Sequence, residues 1–242
     1  MAILEVKNLK KEFENLKVID NISFSVEKGE FLILFGPNGC GKTTLLKLIA
    51  GLIEPTSGDV LLHGENLKKK LNHLHKIGFV FQEDRLFPWE TVYENLNVIS
   101  EHFFSNEKER QVIIKKYLNL VGLWNFKDYY PNKLSGGMRQ KVALARALAI
   151  EPEFILLDEP FEALDVYSRE KLQEETLKIW KETNKTMILV THNIDEALKM
   201  GQKIILLSGR PSKVIKIFTD LSKKDEIKKE LKNTIYKYEQ IR

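Results

Sequence analysis

Eight residues, Gly36-Pro37-Asn38-Gly39-Cys40-Gly41-Lys42-Thr43, fit the pattern G-x-x-x-x-G-K-[ST]. The pattern cradles phosphate only where it joins a buried strand to a helix. Both flanks are present: Phe31 to Phe35 is an unbroken apolar run, and Thr43 to Ala50 keeps helical spacing until Gly51. Glycines let successive N–H groups turn inward around phosphate oxygens, and the helix start adds its positive end. Lys42 then supplies charge to the β- and γ-phosphates and Thr43 an oxygen for Mg²⁺, with Thr44 beside it in the nucleotide-contacting stretch. Cys40 lies near Lys42 and a helix N-terminus, a setting that activates thiols. It is therefore expected to react with thiol reagents and to be protected by a bound nucleotide.

A second group is Phe154-Ile155-Leu156-Leu157-Asp158-Glu159. Adjacent carboxylates are commonly plain surface charge. Here four apolar residues precede them, so the pair emerges at the carboxyl end of a buried strand, the edge at which doubly wound sheets bind ligands. Asp158 is expected in the Mg²⁺ shell and Glu159 against an attacking water. The third group is Leu134-Ser135-Gly136-Gly137-Met138-Arg139-Gln140. It reads as a helix start with a hydroxyl cap and two glycines, a second anion-binding end. A plain cap would need only Ser135.

Around these groups, strands are expected at Ile3 to Leu9, Val18 to Val26, Phe31 to Phe35, Asp59 to His63, Ile77 to Phe81, Phe154 to Leu157, Met187 to Val190, Lys203 to Leu207 and Val214 to Phe218. Residues 84–150 read as mostly helical. Strands alternating with helices argue an α/β fold with a mainly parallel sheet, preceded by an N-terminal antiparallel β subdomain and interrupted by a helical insertion.

The three groups, in this order, resemble the phosphate loop, acid pair and signature motif of the ABC transporter ATP-binding subunits. The resemblance covers nearly all of residues 1–242, read as a single domain with a helical subdomain at about 84–150 and a C-terminal helix at about 219–242. It implies that Phe13 stacks on adenine, that Gln82 senses Mg²⁺ and the attacking water, and that His192 contacts the γ-phosphate. Ser135, Gly136 and Gly137 would meet nucleotide held by a second copy of the chain in a head-to-tail pair. Ala163-Leu164-Asp165 resembles the loop that touches that second copy, but Glu162 stands where the family usually has Ser. The stretches Phe81 to Trp89, Thr191 to Ala197 and Leu207 to Pro211 resemble the nitrate, sulfonate and taurine importers. The implied partners are an integral membrane permease and, through it, a substrate-binding protein, with the chain at the cytoplasmic face of the membrane. The alternatives are an exporter ATPase and a soluble non-transport ABC ATPase. Only 52 residues separate Gln82 from Ser135, too few for the long coiled coil of the DNA-repair branch.

Composition agrees. Of 242 residues, 43% are apolar, enough for a core, and no apolar run approaches the roughly 20 residues of a membrane span. One cysteine excludes an intrachain disulfide. The net charge of +4 gathers partly in residues 221–242, with seven Lys/Arg against four acids. Leu221, Ile227, Leu231, Ile235 and Tyr238 recur there near helical spacing, which describes a packed amphipathic helix and not a nucleic-acid tail.

Overall fold

The computed structural model describes residues 2–67 and 77–239. These divide into two units: one drawn from 1–74 and 186–242, the other from 75–185. The second unit is wider than the helical stretch 84–150, because it also takes in two strands and a long helix.

The first unit begins with β1 (Ala2–Phe13) and β2 (Leu16–Glu27), an antiparallel hairpin. β4 (Ser57–Leu62) pairs with the other edge of β1, and β5 (Glu65–Asn66) with β4, both antiparallel. β1 and β2 run further toward their shared turn than the sequence suggests. The reason is local: Asn8 has φ 47 and the register shifts between Val6 and Leu9. Alternation is lost at such a bulge while pairing resumes beyond it.

Four more strands of this unit are β3 (Phe31–Phe35), β8 (Thr186–Thr191), β9 (Lys203–Leu207) and β10 (Val214–Phe218). β3 lies between β8 and β9, parallel to both, and β10 closes the far side antiparallel to β9. All five β3 residues are buried, which explains why the run carries no polar alternation. α1 (Lys42–Ile49) follows β3, and α6 (Ile194–Met200) follows β8. The C-terminal helix α7 spans Lys224–Glu239. It starts later than expected because Ser222 N–H donates to the Asp220 carboxylate, forming a turn; residues 240–242 lie outside the described residues. Ile227 and Leu231 of α7 are buried, and its lysines face outward.

The second unit holds β6 (Ile77–Val80) parallel to β7 (Phe154–Asp158), with α2 (Val92–Ser100), α3 (Glu107–Leu120), α4 (Gly136–Leu148) and α5 (Val166–Thr183). Each helix has an N-terminal side-chain cap: Thr91, Asn106, Ser135 and Asp165, in that order. Gly78 of β6 lets α4 come close. A Cβ there would fall 2.7 Å from the Ala147 carbonyl oxygen, a contact no side chain tolerates. Among the described residues, no helix is long and apolar enough to cross a membrane.

Candidate functional site

In the first unit, strand register decides what shares an edge. Phe35 pairs with Thr191 of β8 and with Leu206 of β9. The next residues along these parallel strands, Gly36, His192 and the loop from Ser208, therefore emerge together at the carboxyl end of the sheet. The phosphate-loop sequence and His192 are thus brought to one edge. His192 is half-buried and Asn193 caps α6 behind it, its side chain accepting from the N–H groups of Asp195 and Glu196.

The loop itself turns at Gly39 (φ 69) and Gly41 (φ 115). A Cβ on Gly41 would sit 2.9 Å from Val18 Cγ1, so both backbone angle and space require glycine there. Lys42 is only 4% exposed, and its ammonium donates to the Gly36 and Pro37 carbonyls at 3.0 and 3.2 Å. A buried cation folded into a ring of main chain is a site that an anion completes. Thr43 and Thr44 are half-buried in the first turn of α1, and Asn38 and Gly39 are exposed at the loop tip.

Cys40 corrects the sequence reading. It is 1% exposed, and its Sγ lies 3.0 Å from where a Cβ on Gly36 would be. The thiol points into the packed side of the loop, which shields it from reagents in solvent; any contribution to phosphate comes from its backbone. Phe13 lies at the β1 end of the hairpin turn with its ring 43% exposed. Lys11 Nζ stands 4.6 Å from the ring centroid. An exposed aromatic face suits stacking on a base and not a place in the core.

In the second unit Val80 pairs with Leu157, so Gln82, just past β6, and the acids at the end of β7 share an edge. Asp158 is 4% exposed. Glu159 is half-buried with φ 46, the left-handed region, which turns the chain sharply after the strand. Gln82 Nε2 donates to Glu162 Oε2 at 2.5 Å, and Gln140 Nε2 donates to the Gln82 carbonyl at 2.9 Å. Ser135 caps α4, its hydroxyl accepting from Met138 N–H at 3.3 Å. A Cβ on Gly136 or Gly137 would meet nothing nearer than 3.6 Å. The packing of the chain itself therefore needs glycine at neither place, and the bare first turn suits close approach by something outside the chain.

Three arginines do work the sequence reading did not assign. Arg139 bridges the Asp84 carboxylate at 2.8 Å and the Leu134 carbonyl at 2.9 Å, and Arg146 donates to the carbonyls of Asp84 and Arg85. Together they tie the segment after Gln82 to α4. Burial draws the Arg146 pKa down while the Asp84 charge opposes it. Arg169 donates to the carbonyls of Phe161, Glu162 and Leu164, fixing the loop that carries Glu162. Next to it, hydrogen bonds from Ser168 hold the Asp165 carboxyl below its ordinary range. A single arginine on an amphipathic helix gives no sequence signal for such partners.

In the first unit, Lys42 and the loop N–H groups suit polyphosphate and the Thr43 hydroxyl is a hard oxygen ligand of the kind Mg²⁺ takes. In the second unit, the Asp158 carboxylate is another such ligand.

Known proteins resemble this chain over most of its length. The ABC transporter family model matches residues 19–162. An ABC transporter ATP-binding protein of Methanocaldococcus jannaschii is 47% identical over 88% of this chain and 80% of its own length. An aliphatic sulfonates import ATP-binding protein of Bacillus cereus is 44% identical over 90% of this chain and 84% of its own. A taurine import ATP-binding protein of Roseobacter denitrificans is 41% identical, covering 89% and 81%. Among solved structures, an ATP-binding cassette in a dimeric post-hydrolysis state with ADP and Pi superposes with TM-score 0.77 at 33% identity, covering 89% and 97%. The chain belongs to the ABC transporter family, as one of its ATP-binding subunits.

Proposed function

We propose that this chain is the ATP-binding and ATP-hydrolysing subunit of an ABC importer for a sulfonate-, taurine- or nitrate-like small solute. The observation that carries the reading is the phosphate loop between β3 and α1, with Lys42 buried inside it, in a chain 44% identical to a sulfonate importer subunit over nine-tenths of its length. Lys42 and the N–H groups of Gly39 to Thr43 hold the phosphates. Thr43, Asp158 and Gln82 are the residues offered to Mg²⁺, which supplies charge neutralisation at the β- and γ-oxygens. Glu159 orients the attacking water and accepts its proton, His192 hydrogen-bonds the γ-phosphate, and Phe13 supports the adenine. Ser135, Gly136 and Gly137 present N–H groups to the nucleotide of a second copy.

Work is done through differential binding: ATP favours the closed pair and its products do not, so turnover shifts a two-state equilibrium that a membrane permease follows. A substrate-binding protein would feed that permease, and the chain would sit peripherally at the cytoplasmic face of the membrane. Reconstitution of the chain with its permease and binding protein in liposomes tests this. The expected result is ATP hydrolysis stimulated by solute-loaded binding protein, with solute accumulating inside. Solute leaving instead would support an exporter.

A further inference from the structure

Arg210 and Gly39 are 171 residues apart in sequence, yet Arg210 Nη2 donates to the Gly39 carbonyl at 2.7 Å. Gly39 is the left-handed turn at the tip of the phosphate loop. In a planar trans peptide the C=O and the following N–H point in opposite directions. A guanidinium that holds the Gly39 oxygen outward therefore fixes the Cys40 N–H toward the inside of the loop. There it donates to the Pro37 carbonyl at 3.3 Å, a long bond that a phosphate oxygen can replace.

The loop carrying Arg210 is itself held firmly. Ser208 Oγ has the Gly209 and Pro211 carbonyls within reach of its one hydrogen, at 2.8 and 3.1 Å, and accepts from Lys213 N–H at 2.9 Å. Ser212 N–H donates to the Val18 carbonyl and Asp20 N–H to the Ser212 carbonyl, which anchors the loop to β2. On its other side stands Tyr238 of α7. A Cβ on Gly209 would fall 2.5 Å from Tyr238 Cδ1, so the ring lies directly on the Gly209 backbone. A cavity of about 290 Å³ opens between Tyr238, Arg210, Asn38 and Gly39. The ring thus braces the Arg210 loop through its contact with Gly209, beside that space.

We propose that Arg210 is a positioning residue of the phosphate loop, and that Tyr238 seats it, so that the C-terminal helix sets the affinity of the site for nucleoside triphosphate. This rests on the reading of Gly36 to Thr43 as the ATP site. Without Arg210, ATP must itself order the Gly39–Cys40 peptide. That cost falls on binding in ground and transition states alike, so it raises KM and leaves kcat nearly unchanged.

The test compares wild type with Arg210→Ala, Arg210→Lys, Tyr238→Phe and Tyr238→Ala, using equilibrium binding of a fluorescent ATP analogue, steady-state ATPase kinetics and thermal denaturation. Arg210→Ala should raise Kd and KM about three- to tenfold, the size of one net hydrogen bond, with kcat within about twofold. Arg210→Lys should recover part of the affinity and Tyr238→Phe should match wild type. Tyr238→Ala should move toward Arg210→Ala, and the double alanine variant should bind no worse than Arg210→Ala, because both residues act through one contact. Unchanged Kd in Arg210→Ala, with or without a lower thermal midpoint, would overturn the proposal. So would a fall in kcat at constant KM, or additive losses in the double variant. A wild-type chain that binds no ATP analogue would instead remove the site reading beneath it.

Discussion

The side-chain amide of Gln82 and the carboxylate of Glu162, 80 residues apart, are joined by a 2.5 Å hydrogen bond. Glu162 occupies the position where the family usually carries Ser, and Arg169 fixes its loop through three carbonyls. If the Gln82 Nε2–H is to reach the attacking water, it must first leave Glu162. A net hydrogen bond at an exposed place costs about 1 kcal/mol to break, or roughly fivefold in rate. Glu162→Ala is therefore expected to raise kcat by about two- to fivefold at saturating ATP·Mg²⁺. Equal or lower turnover in a stopped ATPase assay would show that the bond does not restrain hydrolysis.

Phe13→Ala is expected to weaken ATP binding by about 1–3 kcal/mol, the range for base–aromatic stacking, while the thermal midpoint stays near wild type because the ring is already exposed. Isothermal titration with a non-hydrolysed ATP analogue gives the first quantity and calorimetric melting the second. Normal affinity with a lowered midpoint would assign Phe13 to packing.

Cys40, being 1% exposed, should react with a small thiol reagent only as fast as the loop opens. Labelling followed by mass spectrometry is expected to be slow in buffer and fast in denaturant. Rapid labelling of the native chain, with protection by ATP, would restore the thiol to the nucleotide face.

How far these residues could be read from the sequence depended on the range of their interactions. The run Phe31 to Phe35 ends where β3 ends because burial on both faces leaves a continuous apolar signature. The phosphate loop was equally plain, since its chemistry is local. By contrast, the orientation of Cys40 depends on the close approach of its Sγ to Gly36, and no thiol-activating neighbour in sequence reveals that. In the β1–β2 hairpin the strand pattern stops short of the turn because a left-handed Asn8 breaks its alternation. Arg210, Arg146 and Arg169 bind backbone carbonyls, which any sequence supplies, so their partners leave no compositional trace.

Glu159→Gln should bind ATP·Mg²⁺ with near-normal affinity yet lose turnover by about 10²–10⁴-fold, the contribution of a positioned general base. Size-exclusion chromatography with ATP should then show a stable pair. Wild-type turnover in this variant would remove the base role from Glu159.

The proposed nucleotide site is completed by a second copy, and complementation between two inactive variants tests this directly. Lys42→Ala removes the phosphate charge, and Ser135→Arg blocks the bare first turn of α4. Each homodimer damages both of its sites and should occlude no nucleotide. Mixing the two chains, with exchange followed by a labelled subunit, creates pairs in which one site carries both lesions and the other neither. The measurement is nucleotide occluded per mixed pair: one ATP should be retained in each mixed pair and none in either parent. Full exchange without occlusion, or loss of ATP binding by monomeric Ser135→Arg alone, would contradict it.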